Sequence, residues 1–321
     1  MATKLSDSER FRLDSGLASI CDVAGLDSSG AELLHYAVNA VYQIDAGGVV
    51  VRMTGGSGAR SQASFVARVA AAFAELDLPT IRLAPRFNEP VDADGWSATV
   101  WTLLPQPPDR RFAPVDLAAP LRAMHAVTDA MPDLPTWDTV GTARDRLRRL
   151  VDDHDAARLA VFRSWASAAV GVPLPDLVER LMRRCDELDA ALRAVNWTLP
   201  RSLVHGDAHL RNLLWTPDDT IVVCDFDSVA SGPPEWDLVP AVHGVVRYRD
   251  DPARNAAFVD AYGFDVTQSP GWDVLRLVRD LQLVASVIAN VPAQPDRADE
   301  LAHRVRTVLA DDDTAVWHRF A

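Results

Sequence analysis

Apolar and polar positions alternate along the first hundred residues in two different periods, and the change of period marks the elements. Ser6-Asp7-Ser8-Glu9 is a capping-box signature for a first helix running to about Ile20. Glu32-Leu33-Leu34-His35-Tyr36, Val41-Tyr42-Gln43-Ile44 and Val49-Val50-Val51-Arg52-Met53 then follow the two-residue period of strands, with Asp45-Ala46-Gly47-Gly48 as the turn of a hairpin. From Gln62 to Leu76 the period becomes helical, with Phe65, Val69, Phe73 and Leu76 on one face. Ala98 to Leu104 is again a strand, and Pro105-Gln106-Pro107-Pro108 ends the pattern. Beyond it helical spacing or caps cover 117–127, 141–150, 155–167, 177–194, 252–262, 270–290 and 297–310. In their midst Leu203-Val204, Leu213-Leu214 and Ile221-Val222-Val223-Cys224 are short apolar runs, the last two separated by a Thr216-Pro217-Asp218-Asp219 turn. The pattern predicts an α+β chain: a β-rich N-terminal lobe with one packed helix over 1–104 and a larger helical lobe over 105–321. The three short runs are expected to form one small sheet that pins both ends of the polar loop between the first two.

Length and composition keep this within the range of soluble globular proteins, with 321 residues, 48% hydrophobic and 24% charged. The first residues lack the apolar core of a signal peptide, and the most apolar late stretch, Leu281 to Val291, is interrupted by Gln282, Ser286 and Asn290. Cys21, Cys185 and Cys224 are widely spaced, which predicts a reduced, cytoplasmic protein. A net charge of −13 disfavours nucleic acid and anionic membrane as partners and permits a cationic ligand. Lys4 is the only lysine, so any cation needed elsewhere must be arginine or histidine.

That restriction matters because of the polar loop itself, Val204-His205-Gly206-Asp207-Ala208-His209-Leu210-Arg211-Asn212, and the Cys224-Asp225-Phe226-Asp227 that follows. An Asp, an Asn five residues later and a further Asp at the end of an apolar run suit phosphoryl transfer. One carboxylate receives the proton of an acceptor hydroxyl. The amide oxygen and the other carboxylate are the hard oxygen donors that Mg2+ prefers. Gly55-Gly56-Ser57-Gly58 is not a phosphate loop, because Ala59 stands where Lys-Ser/Thr would follow.

These motifs, His-Gly-Asp-x-His-x-x-Asn followed by Asp-Phe-Asp, resemble those of the aminoglycoside phosphotransferase and choline kinase family, a branch of the protein-kinase-like fold, and the resemblance extends over most of the chain. It implies a two-lobed kinase-like fold and transfer of the γ-phosphoryl group of ATP or GTP to a small molecule's hydroxyl. It casts Asp207 as the catalytic carboxylate, Asn212 and Asp225 as Mg2+ ligands, and Arg52 as the cation on the nucleotide phosphates. Asn39 would lie over the phosphates and Thr102, Leu103 and Leu104 along the adenine. Glu235-Trp236-Asp237-Leu238 is similar to the family's acidic motif, so Asp237 would brace the catalytic loop with His205 and His209, while Asp227 and Glu235 are candidates for a substrate or second-metal contact. His125 reads as a packed, satisfied ring.

Two positions depart from the family pattern. The 35–40 loop holds no glycine, and Arg68 lies near where the second helix should offer Arg52 a glutamate. Kinases of homoserine, methylthioribose, choline or a sugar fit the same motifs, as does a nucleotide-binding protein without activity. A protein kinase fits poorly, for want of an Ala-Pro-Glu activation segment. Antibiotic resistance is the family's best-known role, but the helices from Gly141 to Asn196, which are expected to shape the acceptor pocket, carry no legible motif.

Overall fold

The computed structural model describes residues 5–36, 38–128, 133–152, 155–289 and 297–320. Lys4, Ala37, Asn290 and Val291, each part of a reading above, lie outside them. The chain forms two compact units, and neither is defined by one cut. Residues 1–112 and 210–229 make the first, and 113–209 and 230–321 the second.

The first unit opens with helix α1 (Asp7–Ala24), whose Ser6 and Glu9 form the expected capping box. Strands β1 (Glu32–Tyr36), β2 (Ala40–Ile44) and β3 (Val49–Gly55), helix α2 (Ala59–Glu75), and strands β4 (Val91–Ala93) and β5 (Trp96–Thr102) follow. The strands make an antiparallel sheet in the order β1-β2-β3-β5-β4. Tyr42, Val51, Met53 and Val100 form one core with Leu13, Leu17 and Ile20 of α1. Successive strand residues face opposite sides, so Arg52, between Val51 and Met53, projects from the other face. Gly16 lets α1 lie close to the sheet, since a Cβ there would overlap Trp96.

Helix α2 buries Ala63, Val66, Val69, Ala70 and Phe73, a face of mostly small residues, whereas Leu76 is exposed. The strand expected to reach Leu104 ends at Thr102, where the Leu103 N–H turns to the Gly48 carbonyl.

The second unit begins with α3 (Ala118–His125), α4 (Thr139–Val151), α5 (Ala156–Trp165), α6 (Leu174–Arg193) and strand β6 (Ser202–Val204). After His209 the chain returns to the first unit for β7 (Leu213–Trp215) and β8 (Ile221–Val223). It then re-enters the second with β9 (Ala230–Gly232), α7 (Glu235–Tyr248), α8 (Pro252–Tyr262), α9 (Trp272–Ala285) and α10 (Ala298–Ala310). The single small sheet expected from the sequence is therefore two ribbons: β6 pairs with β9, and β7 with β8. Strands of three residues carry too little pattern to specify their partners.

The β7–β8 ribbon is tied into the first unit by main-chain bonds. Ile81 donates to the Val223 carbonyl and Val223 to the Pro79 carbonyl. Phe226 adds edge-on contacts to Phe73 and Trp101, at 5.1 and 5.7 Å between ring centres. In the second unit the β6–β9 ribbon is extended by a bridge between Thr136 and Ser231. Helix α7 is not among the helical segments expected from the sequence, and it starts beside Pro233-Pro234 and contains Pro240. Pro234 sits at the helix start with φ −53°, where a proline is preorganised, and Pro240 is carried inside the helix.

Candidate active site

The His-Gly-Asp loop leaves β6 at Val204 and turns at Gly206, whose φ of 83° is a left-handed conformation that glycine adopts without cost. The turn is fixed from α7. The Asp237 carboxylate accepts the His205 N–H at 2.6 Å and the Gly206 N–H at 2.8 Å, and His125 Nε2 donates to it at 3.0 Å. The other ring nitrogen of His125 meets the Tyr262 hydroxyl at 2.7 Å, so the ring is satisfied at both ends. Trp236 Nε1 donates to the Gly206 carbonyl. Asp237, 1% exposed, is thus a buried carboxylate whose neighbours are loop amides and a histidine.

Asp207 stands one residue further on. Its N–H donates to Nδ1 of the buried His205, and its carboxylate lies 3.3 Å from Arg279 and 3.6 Å from His209. Burial alone pushes the Asp207 carboxyl up, but Arg279, His209 and His205 outweigh it and hold the group below the ordinary carboxylate value. The side chain keeps 34% of its surface, so an ionised acceptor is presented to solvent. Arg279, on α9, is 7% exposed and also donates to Gln282. Sequence reading missed it. The signal was there: Arg279-Asp280 interrupts the apolar stripe Leu275, Val278, Leu281, and charges on a buried helix face require partners.

Glu235 is fully buried, and its Oε1 accepts the N–H groups of Thr198 and Leu199 at 2.9 and 3.0 Å, fastening the segment entering β6. Its Oε2 is enclosed with no hydrogen-bond partner among the described residues.

The first unit carries the remaining candidates. Leu213 opposes Val223 in the β7–β8 ribbon, and the Cys224 N–H donates to the Asn212 carbonyl, so Asn212 and Cys224-Asp225 flank one end of it. Asn212 is 7% exposed. Asp225 adopts φ 69° and ψ 79°, a conformation uncommon outside glycine and tolerated best by Asp and Asn. Burial, with the Asp225 charge beside it, pushes the Cys224 thiol up to about 12, so it is no nucleophile.

Arg52 has acidic partners, though not from α2. Asp227 is its ion partner, and Asp225 lies 3.6 Å away. Asn39 and Gln62 of α2 also donate to Asp227, at 3.1 and 2.9 Å, so the carboxylate gathers three donors. Arg68 is exposed and Arg60 pairs with Asp92, so neither competes with Arg52. In the segment after β5 the Thr102 N–H goes to Arg82, the Leu103 N–H to Gly48, and the Leu104 carbonyl takes Gln106 Nε2.

Among the described residues no group of three or more His, Cys, Asp or Glu could hold a metal ion by itself, and no helix is long and apolar enough to cross a membrane.

A mixed α+β fold with a five-stranded antiparallel N-terminal sheet, predominant helices elsewhere and a braced His-Gly-Asp loop defines a kinase-like protein. Residues 29–278 match the model of the phosphotransferase enzyme family, and the chain belongs to that family. It is a small-molecule phosphotransferase with a hydroxyl acceptor. Its fold is similar to that of amicoumacin kinase, solved in complex with AMP-PNP, Ca2+ and Ami, with a TM-score of 0.62 at 13% identity over 96% of this chain and 98% of that one. It is also similar to a choline/ethanolamine kinase family protein from Mesorhizobium loti, at TM-score 0.55 and 16% identity over 94% of each chain. An aminoglycoside phosphotransferase from Streptomyces rimosus gives TM-score 0.55 and 17% identity, covering 84% of this chain and 98% of that one. A comparison with curated protein sequences gives no match.

Proposed function

We propose that the protein transfers the γ-phosphoryl group of ATP or GTP to the hydroxyl of a small metabolite or antibiotic, with Asp207 receiving the hydroxyl proton. The observation that carries this reading is the state of Asp207: a carboxylate held ionised by Arg279, partly open to solvent, on a turn fixed by Asp237. Its lowered pKa makes it a weak base. Its contribution is then orientation of the hydroxyl, and the proton leaves only as the oxygen bonds to phosphorus and becomes acidic. The acceptor oxygen forms the new bond, the bond from the γ-phosphorus to its bridging oxygen breaks, and the nucleoside diphosphate leaves.

Asn212 and Asp225 fit Mg2+ as a donor set of one amide oxygen and one carboxylate. Mg2+ is commonly held by one or two carboxylates, with substrate phosphates and water completing its shell. Bound there, Mg2+ would neutralise charge on the nucleotide phosphates. Arg52, steadied by Asp227, would contact those phosphates, with Asn39 beside them. The Leu103 carbonyl and Leu104 N–H would meet the base. His205, His209 and Asp237 keep the loop in place. Residues 1–104 would supply most of the nucleotide contacts and 105–321 the acceptor contacts. A cytoplasmic location would supply both nucleotides.

The test is a mass-spectrometric screen of metabolites and antibiotics, from cationic aminoglycosides to acids, for phosphoryl gain with Mg-ATP and Mg-GTP. Asp207→Asn serves as the control. Nucleotide binding without transfer to any acceptor, unchanged by Asp207→Asn, would favour a nucleotide-binding protein without activity.

A further inference from the structure

The chain as a whole is acidic, with 45 Asp and Glu against 32 Lys and Arg. Arginines in such a chain find carboxylates easily. Arg144 of α4 pairs with Asp186 and Asp189, Arg148 with Asp145, and Arg247 of α7 with Asp280. Around Asp207 this balance reverses. Arg279 approaches it from α9 and His209 from its own loop, and a further arginine, Arg146 of α4, lies within its electrostatic reach.

Arg146 is half-buried and makes no hydrogen bond or ion pair among the described residues. Burial pushes its pKa down, Asp207 opposes that, and Arg149 adds to it. Arg276, one turn before Arg279 on the same side of α9, is also half-buried, and its Nη1 is enclosed with no hydrogen-bond partner among the described residues. Nε of Arg279 is in the same condition. Helices α4 and α9 pack against each other, so these guanidinium groups come from adjoining elements.

Enclosing a guanidinium nitrogen without a partner costs folding free energy; the buried Arg247 and Arg304 are paired, whereas Arg276 keeps such a nitrogen and Arg146 makes no pair among the described residues. The positive charge exceeds what the single Asp207 carboxylate can balance. A guanidinium matches the two oxygens of a carboxylate or phosphate. A cationic acceptor would instead meet like charge.

We propose that the acceptor carries, beside the hydroxyl that is phosphorylated, an anionic group, carboxylate or phosphate, and that Arg146 and Arg276 bind it. The proposal rests on the reading of Asp207 as the group that receives the acceptor hydroxyl. It reverses the expectation of a cationic acceptor drawn from the net charge.

The test uses the full chain with Mg-ATP and three sets of hydroxyl compounds. The sets are anionic (glycerate, gluconate, glycerol phosphate), neutral (glycerol, glucose) and cationic (choline, kanamycin). Binding is measured by calorimetry and phosphoryl gain by mass spectrometry. The anionic set is expected to bind and to be phosphorylated in preference, carboxylates and phosphates being told apart by which members respond. Arg146→Gln and Arg276→Gln should each weaken anion binding by about tenfold or more, the loss of a charge-assisted pair. KM for ATP should be unchanged, and thermal unfolding of both variants should stay at or above the wild-type midpoint.

Preference for cationic or neutral compounds, failure of the whole anionic set to bind, or variants that raise KM for ATP while sparing the anion would each overturn the proposal. Anion binding that depends on both arginines, with no phosphoryl gain in any set, would leave this site standing and overturn transfer at Asp207 instead.

Discussion

Asp207 and Asp280 are carboxylates of the same unit, the first met by Arg279 of α9 and the second carried by α9 itself, and their surroundings differ in one respect. Asp280 is 2% exposed and saturated: Arg247 reaches both of its oxygens, at 3.0 and 2.5 Å, and His243 Nε2 lies at 2.7 Å. Arg247 in turn donates to the carbonyls of Asp312 and Ala315, so the charge is used up in holding the C-terminal segment. Asp207 is a third exposed and meets Arg279 at a longer 3.3 Å, and Nε of Arg279 and Nη1 of Arg276 have no hydrogen-bond partner among the described residues. Closed charge balance marks a group that serves the fold, and an open balance marks one that awaits a ligand. Asp227 lies between the two: Arg52, Asn39 and Gln62 donate to it, yet its side chain keeps 30% of its surface.

The comparison is broken most severely at its saturated end. Asp280→Ala should destabilise the protein by about 3–5 kcal/mol, because Arg247 would remain buried without its counter-ion. Denaturant unfolding measures this, and a midpoint near wild type would mean that Asp280 is not structural. The pH dependence has a fixed sign. Burial pushes Asp280 up, but His243 and Arg247 outweigh it and leave the carboxyl below its ordinary value, so its stabilisation is present at neutral pH and is lost as pH falls through that lowered value. Burial also lowers His243, which adds a loss of stability in acid from below the ordinary histidine value. Asp280→Asn should flatten the carboxylate limb.

At the open end, Asp207→Asn should reduce turnover by about 10²-fold or more while unfolding stays near wild type. A variant that phosphorylates its acceptor normally would remove Asp207 from the chemistry. In the first unit Arg52→Ala should weaken nucleotide binding by about tenfold, and Arg52→Lys should restore only part of it, since an ammonium cannot reproduce the fork of the guanidinium. Equal affinity in all three proteins, by titration with Mg-nucleotide, would place the phosphate cation elsewhere. The smallest effect sharpens the comparison. Arg279→Gln removes the main cation that holds Asp207 down, so the acid limb of the kcat/KM profile should move to higher pH, with less change at neutral pH. An unmoved limb would show that Arg279 does not set the ionisation of Asp207.

Sequence alone made the strands of the first unit legible, because Tyr42, Ile44, Val51 and Met53 alternate with polar positions on a half-covered sheet. The loop from His205 to Asn212 was legible as well, since its polar residues follow one another in the chain. Arg279 was hidden because its partner, Asp207, is 72 residues away in sequence and nothing in a helical stripe names a distant counter-ion. The burial of Glu235 was hidden for a related reason: a carboxylate that accepts backbone amides looks in sequence like one that faces solvent. Helix α7 was not among the expected helices, and the pairing of β6 to β9 was lost to the brevity of the strands.

The excursion of residues 210–229 also bears on how the protein can be made. Phe73 and Trp101 are synthesised long before Phe226, which completes their aromatic cluster, and Pro79 and Ile81 long before Val223. The first unit therefore cannot close on the ribosome until residues 113–209 of the second have been made. A fragment ending at 112 would present that apolar surface open to water. Expressed alone it should aggregate or recruit chaperones, whereas the same fragment supplied with 210–229 in trans should recover solubility.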